Sequence, residues 1–257
     1  MADYKIKRLF NNVLVFVITR EHVLNAVNDQ VMDGLNQACD IIRTDPDYSL
    51  FVITGEGERA FCSGGDLREF HALKTANQSV QMLQKMAHIL HNIATLPVPV
   101  IGLLNGTAVG GGMEIASACD WRYARETGKY GFIQASLSIT TGWGGGTLLL
   151  EKFPPHLALE WLAKGEKRAA SDWQQDRFFN NIFSGKPFDF FEKECHSMLK
   201  TQSDVLRSYK EVFLKKIDQP SLLDRMLNEA KNCSLLWESN AHHEAVTQFL
   251  QKDRKTK

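Results

Sequence analysis

The sequence predicts an α/β fold with a helical C-terminal part: residues 1–198 as the α/β core and 199–257 as the helical segment. Three observations carry that expectation. Short apolar, β-rich runs alternate with amphipathic helical stretches up to about residue 124, the pattern of parallel strands joined by right-handed crossovers. From about Ser203 the periodicity is helical, with no strand-like run between helices. Finally, an apolar run closes at Asn105-Gly106, and Gly110, Gly111 and Gly112 follow directly before a helix that carries Glu114.

Taken in order, alternating strand-like residues lead into the apolar run Val13–Ile18, a strand. Arg20 to Asn28 is polar and irregular. Val27, Val31, Leu35, Ala38 and Ile42 then recur at helical spacing, so a helix spans about Asn28 to Arg43 and stops at Asp45-Pro46-Asp47. Leu50–Thr54 reads as a strand closed by the turn Gly55-Glu56-Gly57-Glu58. Ala60–Leu67 is a second strand-to-glycine junction, with Asp66 in place to cap a short helix. Val80, Leu83, Ala87, Leu90 and Ala94 mark a further helix. Val100–Leu104 is the strand before the glycine run, and Trp121–Ala124 the strand after its helix. Tyr130 to Gly146 is less regular and ends in Gly142-Trp143-Gly144-Gly145-Gly146. Helices follow at Leu157–Ala163, at Leu206 to Ile217, from Leu222 to Trp237 and from Ala241 to Leu250, ahead of a basic tail, Lys252–Lys257.

Lys plus Arg and Asp plus Glu both number 30, so no global field draws the chain to nucleic acid or to an anionic membrane. The five cysteines, Cys39, Cys62, Cys119, Cys195 and Cys233, are odd in number and contain no CxxC pair. They fit free thiols in a reducing compartment better than a disulfide framework or a zinc site. There is no secretory h-region after Met1 and no apolar run of membrane-spanning length. A cytoplasmic protein without membrane or nucleic-acid partners is expected.

The glycine run is where chemistry can sit. Glycines let a substrate approach the main chain closely. A helix beginning near Gly111 directs free N–H groups and its positive end at that space, an arrangement able to hold a developing negative oxygen. Glu114, one turn in, is placed to move a proton. The plainer alternative is a Gly-rich turn that caps a helix with an acid in its first turn.

Together the two glycine junctions resemble those of the crotonase superfamily of enoyl-CoA hydratases and isomerases. Leu24-Asn25-Ala26-Val27-Asn28 resembles the family's early Asn-Ala segment, Ala60–Leu67 its Ala-Phe-x-x-Gly-x-Asp motif, and Leu96–Asp120 its Pro-x-Ile…Asn-Gly-x-x-x-Gly-Gly-Gly-x-Glu…Cys-Asp block. The likeness covers about residues 5 to 165. It implies a spiral of ββα units whose C-terminal helices serve trimer formation, giving a homotrimer or a hexamer built as a dimer of trimers. It also implies coenzyme A as part of the substrate and no separate cofactor or metal. The resemblance places the thioester oxygen between two backbone N–H groups, at Ser63 and Gly111. Ala26, Gly64, Gly65, Asp66, Gly110 and Trp143 are expected to line the substrate. Lys210 lies where relatives often carry a lysine near the CoA phosphates of a neighbouring subunit.

The chain departs from the family at the second catalytic carboxylate. In the segment Tyr130-Gly131-Phe132-Ile133-Gln134, the position of that glutamate is Gln134, which hydrogen-bonds but cannot titrate. Two enzymatic readings follow. Glu114 alone can shuttle a proton, giving isomerase or slow hydratase chemistry on an enoyl-CoA. Alternatively the substrate brings its own carboxylate, and loss of carbon dioxide from a malonyl-type thioester makes the enolate without a base. Phe132-Ile133-Gln134 and Trp143-Gly144-Gly145 also resemble the methylmalonyl- and ethylmalonyl-CoA decarboxylase branch. A non-catalytic acyl-CoA or RNA-binding member is the alternative of a different class.

Of the lesser signals, Trp173 and Arg177 are bulky where the family has a small residue and a glycine, pointing to a reshaped pocket or a subunit contact. His71, His88 and His91 lack an apparent acidic or thiol co-ligand. His242-His243 reads as a solvated face, and Cys62 as a small core residue rather than a nucleophile.

Overall fold

The computed structural model describes residues 2–217 and 219–255. Of the basic tail, Thr256 and Lys257 lie outside the described residues, as does Met1. The strands, in chain order, are β1 Tyr4–Leu9, β2 Val13–Ile18, β3 Leu50–Gly55, β4 Ala60–Cys62, β5 Val100–Leu104, β6 Thr107–Val109, β7 Trp121–Arg125, β8 Lys129–Gly131, β9 Arg168–Ala169 and β10 Asn181–Phe183. They form two sheets, ordered β1-β2-β3-β5-β7-β10 and β4-β6-β8-β9. All pairs are parallel except β1 with β2 and β8 with β9.

Consecutive strands β3 and β4, β5 and β6, and β7 and β8 each give one member to the large sheet and one to the small one, and a helix follows each pair. This is a spiral of ββα units. The central strands of the large sheet are buried on both faces, which explains why they read as unbroken apolar runs. Val52 pairs with Val15 on one side and Ile101 on the other. Leu14, Phe16, Phe51 and Ile53 pack under the helices Asp29–Thr44 and Ala76–Ala94. Val13, Val15, Leu50, Val52, Ile101 and Leu103 form the opposite face beneath Phe183, Phe191 and Leu206.

Local chemistry sets the element ends. Asn28 accepts from Val31 N–H and starts the first long helix; Thr75 and Gln78 form a capping box at the next. After Phe183 the described chain is helical: Pro187–Glu194, His196–Lys200, Ser203–Leu214, Gln219–Trp237 and Asn240–Lys255. The Gln219–Trp237 helix packs along Ala76–Ala94 and against Gly145–Lys152, so the C-terminal part folds back onto the core beside the glycine junctions.

Trp173 is neither in the large cavity described below nor at the surface. Its ring is buried among Trp161, Phe178 and Phe179, and its Nε1 donates to the Tyr130 carbonyl at 2.9 Å. Arg177 is exposed and takes φ 61°, a left-handed conformation that glycine adopts without strain, which accounts for the glycine usual in the family.

Candidate active site

The first junction is built by the ends of β4 and the loop before the Asp29–Thr44 helix. Asn25, buried, accepts from Arg20 N–H and donates through Nδ2 to the carbonyls of Glu56 and Ala60, tying this loop to the strand end. Val27 N–H donates to Gly64 and Asp66 N–H to Val27, a short parallel bridge. Gly64 stands at φ 101°, where the chain leaves strand alternation. The second junction begins with Gly111, first residue of the helix Gly111–Ala118. Gly112 lets this helix lie directly on β4: a Cβ there would stand 2.1 Å from the carbonyl oxygen of Cys62. A Cβ on Gly64 would stand 3.3 Å from the nitrogen of Gly111, so the two junctions meet.

Ser63 does not present its N–H at that meeting point. It donates to the Leu24 carbonyl at 3.1 Å, and Leu24 reaches this position through its left-handed φ of 56°. Among the described residues, no acceptor takes the N–H of Gly65 or of Gly111. The Ser63 N–H expected beside that of Gly111 is thus already taken, and the untaken N–H groups at these junctions include those of Gly65 and Gly111. The Trp143 indole packs over both glycines: a Cβ on Gly111 would meet it at 2.1 Å and one on Gly65 at 3.4 Å.

Glu114 is buried beside these glycines. Its Oε2 accepts from the N–H of Trp143 at 2.9 Å and of Gly145 at 3.0 Å, and its Oε1 from Gln134 Nε2 at 2.9 Å. Burial, and next the charge of Glu229, push its carboxyl up to about 8; the three hydrogen bonds pull the other way. Gln134 is supplied by the turn Ile133–Leu137, and its Oε1 is buried with no partner. At the far end of the Gly111–Ala118 helix, Arg122 and Lys152 donate to the carbonyls of Ser117 and Cys119, complementing the dipole's negative end. Burial drives the Lys152 amine down to about 7.

A cavity of about 800 Å³ runs past Glu114 and Gln134. Ala26, Ser63, Gly64, Gly65, Asp66, Gly110, Gly111 and Trp143 all line it. Asp66 also caps the Leu67–Phe70 helix and pairs with Arg20 at 2.9 Å, and Arg20 donates to the Ala26 carbonyl. The lining also includes the basic residues His22, Arg59, Arg68 and Lys167 and the side chains of Phe70, Met82, Leu83, Cys233, Trp237 and His242. His242 is buried there, with Nδ1 2.7 Å from the Leu137 carbonyl, rather than on a solvated face. Cys62 is fully buried, and burial pushes its thiol up to about 12, as befits a core residue.

Lys210 is not with the other residues. It is buried, and its Nζ lies 2.6 Å from Asp120 Oδ1, an ion pair that anchors the Ser203–Leu214 helix to the start of β5 through the Val100 N–H that Asp120 also accepts. Within this chain Lys210 is therefore paired with Asp120 and does not line the cavity. Sequence reasoning missed Glu229, Arg20 and His242. For Glu229 a signal existed: it falls in the stripe Leu222, Met226, Cys233, Trp237 at helical spacing, an acid among residues that are all buried.

Residues 9–256 match the family model described as enoyl-CoA hydratase/isomerase. The mitochondrial enoyl-CoA hydratase of Pongo abelii is 27% identical over 94% of this chain and 82% of its own. The ethylmalonyl-CoA decarboxylase of Xenopus tropicalis is 25% identical over 94% and 81%. The mitochondrial methylglutaconyl-CoA hydratase of Mus musculus is 34% identical, but over 54% of this chain and 44% of its own, so the match spans less than half of that relative. Among solved structures, carnitinyl-CoA hydratase from Mycobacterium avium superimposes with a TM-score of 0.85 at 25% identity, covering 98% and 97% of the two chains.

Proposed function

Because the chain belongs to the enoyl-CoA hydratase/isomerase family, we propose that it processes an acyl-CoA thioester through an enolate, with Glu114 as the sole proton carrier. In this reading the thioester oxygen accepts from the N–H groups of Gly65 and Gly111. As charge builds on that oxygen, each fixed donor lowers the barrier by about 3–4 kcal/mol. Arg59, Arg68 and Lys167, which line the cavity, are the partners this chain itself offers the CoA phosphates.

One observation favours decarboxylation: Glu114 is buried with its carboxyl raised to about 8, while its neighbour Gln134 cannot titrate. At neutral pH Glu114 then enters the cycle as an acid. Hydration needs a base to activate water, which neither group supplies in that state. A malonyl-type thioester needs no base. Its C–C bond electrons pass into the enolate as carbon dioxide leaves, and the O–H of Glu114 delivers its proton to the α-carbon. Glu114 regains a proton from solvent. The likeness to an ethylmalonyl-CoA decarboxylase over most of the chain supports the same reading.

A second reading rests on the three donors around the Glu114 carboxylate, which suit its ionised form. Ionised, it takes a proton from one carbon of an enoyl-CoA and returns it to another, an isomerisation. Purified protein incubated in D2O with methylmalonyl-CoA, a 3-enoyl-CoA and crotonyl-CoA separates these. The expected result is carbon dioxide release with one deuteron at the α-carbon. Turnover of crotonyl-CoA alone would overturn the proposal. The exposed stripe Val205, Tyr209 and Val212 on the Ser203–Leu214 helix supports self-association as a trimer or dimer of trimers, which sedimentation would test.

A further inference from the structure

Glu229 reaches the site from the Gln219–Trp237 helix. Its carboxylate accepts from the N–H of Gly146 at 3.1 Å, the N–H of Thr147 at 2.7 Å and the Thr147 hydroxyl at 2.7 Å; the Thr141 hydroxyl bonds it as well. Glu114 takes the adjoining N–H groups, those of Trp143 and Gly145. Two carboxyl groups from two different helices thus divide the start of one helix, Gly145–Lys152.

Such a helix end carries roughly half a positive charge, which suits one anion better than two. Two carboxyls so close in a buried place do not both ionise readily. The members are unequal. Glu229 is served by four donors, two of them hydroxyls, and Glu114 by three. Hydrogen bonds to the charged form favour ionisation where they are most numerous. The groups acting on Glu114 are Glu229, Gln134 and the two main-chain N–H groups. The Cys233 thiol, one turn beyond Glu229, is itself pushed up by burial and by both carboxyls.

We propose that Glu229 is a positioning residue: as the ionised member of the pair it keeps the proton on Glu114, and it pins the helix start that orients the Glu114 carboxyl. It reaches the reaction only through Glu114. The pair binds one proton over the range in which a lone carboxyl would bind none, and titrates in two steps that belong to both groups.

The test is a carboxyl NMR titration of the full chain labelled at the glutamate side-chain carbons, which needs no substrate. It therefore stands or falls separately from the decarboxylation reading. In Glu229→Gln the Glu114 midpoint should move down by about one pH unit or more. Thr147→Val keeps the shape of the side chain but removes one donor from Glu229. It should draw the proton toward Glu229 and lower the Glu114 midpoint too, and it decides the matter if Glu229→Gln does not fold. With a substrate in hand, the proton-delivery rate of Glu229→Gln at pH 7 should fall about twofold for a one-unit drop of the midpoint from about 8 and about tenfold for a two-unit drop, with KM within twofold. An unchanged Glu114 midpoint in the folded variants, with only a lower melting temperature, would make Glu229 a helix cap and overturn the proposal.

Discussion

Replacing Glu114 by Gln should stabilise this protein while abolishing its proton transfer. The folded carboxyl is raised to about 8 against an ordinary value of 4.5. Between those two pH values the folded state holds a proton that the unfolded chain has released, so stability falls as pH rises through the interval. Each unit costs about 1.4 kcal/mol, hence about 3 kcal/mol at pH 7. Glutamine fits the site without that dependence. Its carbonyl can accept from Trp143 and Gly145 N–H, as Oε2 does. Its NH2 can donate to Gln134 once that amide turns over, which also supplies a partner for the orphaned Oε1 of Gln134. Urea unfolding from pH 4.5 to pH 8 should show wild type and variant equal at the acid end and diverging steadily above it. At pH 7 the melting temperature of the variant should be higher by roughly 6–12 °C. A variant less stable at pH 7, or a gap that does not change with pH, would refute a protonated Glu114.

Gln134→Glu places a second carboxyl where an amide nitrogen lies 2.9 Å from Glu114 Oε1; with Glu114 protonated, as proposed, the pair shares that proton. Crotonyl-CoA hydration should rise about 10²-fold over wild type, the ordinary worth of a positioned acid or base, and absence of any gain would show that Gln134 is not what blocks hydration. Gly112→Ala drives a Cβ to 2.1 Å from the Cys62 carbonyl, a main-chain atom that cannot step aside, whereas Gly111→Ala meets the Trp143 side chain. The first should cost about 1–3 kcal/mol in stability and the second chiefly turnover, read by melting temperature and rate together. Lys210→Met leaves the part-buried Asp120 without its ion-pair partner and should cost about 3–5 kcal/mol, with KM for acyl-CoA within twofold; a large rise in KM alone would point to the phosphate role.

The elements legible in the sequence were those whose periodicity is local. The strands Val13–Ile18 and Val100–Leu104 are buried on both faces and the helix after Asn28 along one, so each pattern emerges within a few residues. β6 and β8 are three residues each and exist through pairing with β4 and with each other, so no run of their own residues announces them. Burial of a polar residue is hidden in the same way. The helix Ser203–Leu214 shows Leu206, Tyr209, Lys210 and Phe213 on one broad face; in the fold Leu206 and Lys210 turn inward, Tyr209 is 73% exposed, and the lysine is buried only because Asp120 waits opposite. A carboxylate ninety residues earlier cannot be inferred from helical spacing.

Ser63 illustrates the finer limit. Main-chain N–H groups are present at every position of Ala60–Leu67 except a proline, and none occurs there, so composition offers no means to choose a donor. Competition narrows the choice: the carbonyls of Leu24, Gly64 and Val27 accept the N–H groups of Ser63, Val27 and Asp66, and the N–H of Gly65 is left untaken. Glu229 is decided by the same accounting on the other side of the site. The helix Gly145–Lys152 begins with Gly144 at φ 86° and brings no capping side chain of its own, so its first N–H groups had to be satisfied from elsewhere in the chain. Glu114 satisfies part of them and Glu229 the rest. In the proposed mechanism the acid is therefore held by a structural requirement, and its proton follows from two carboxyl groups meeting that requirement together.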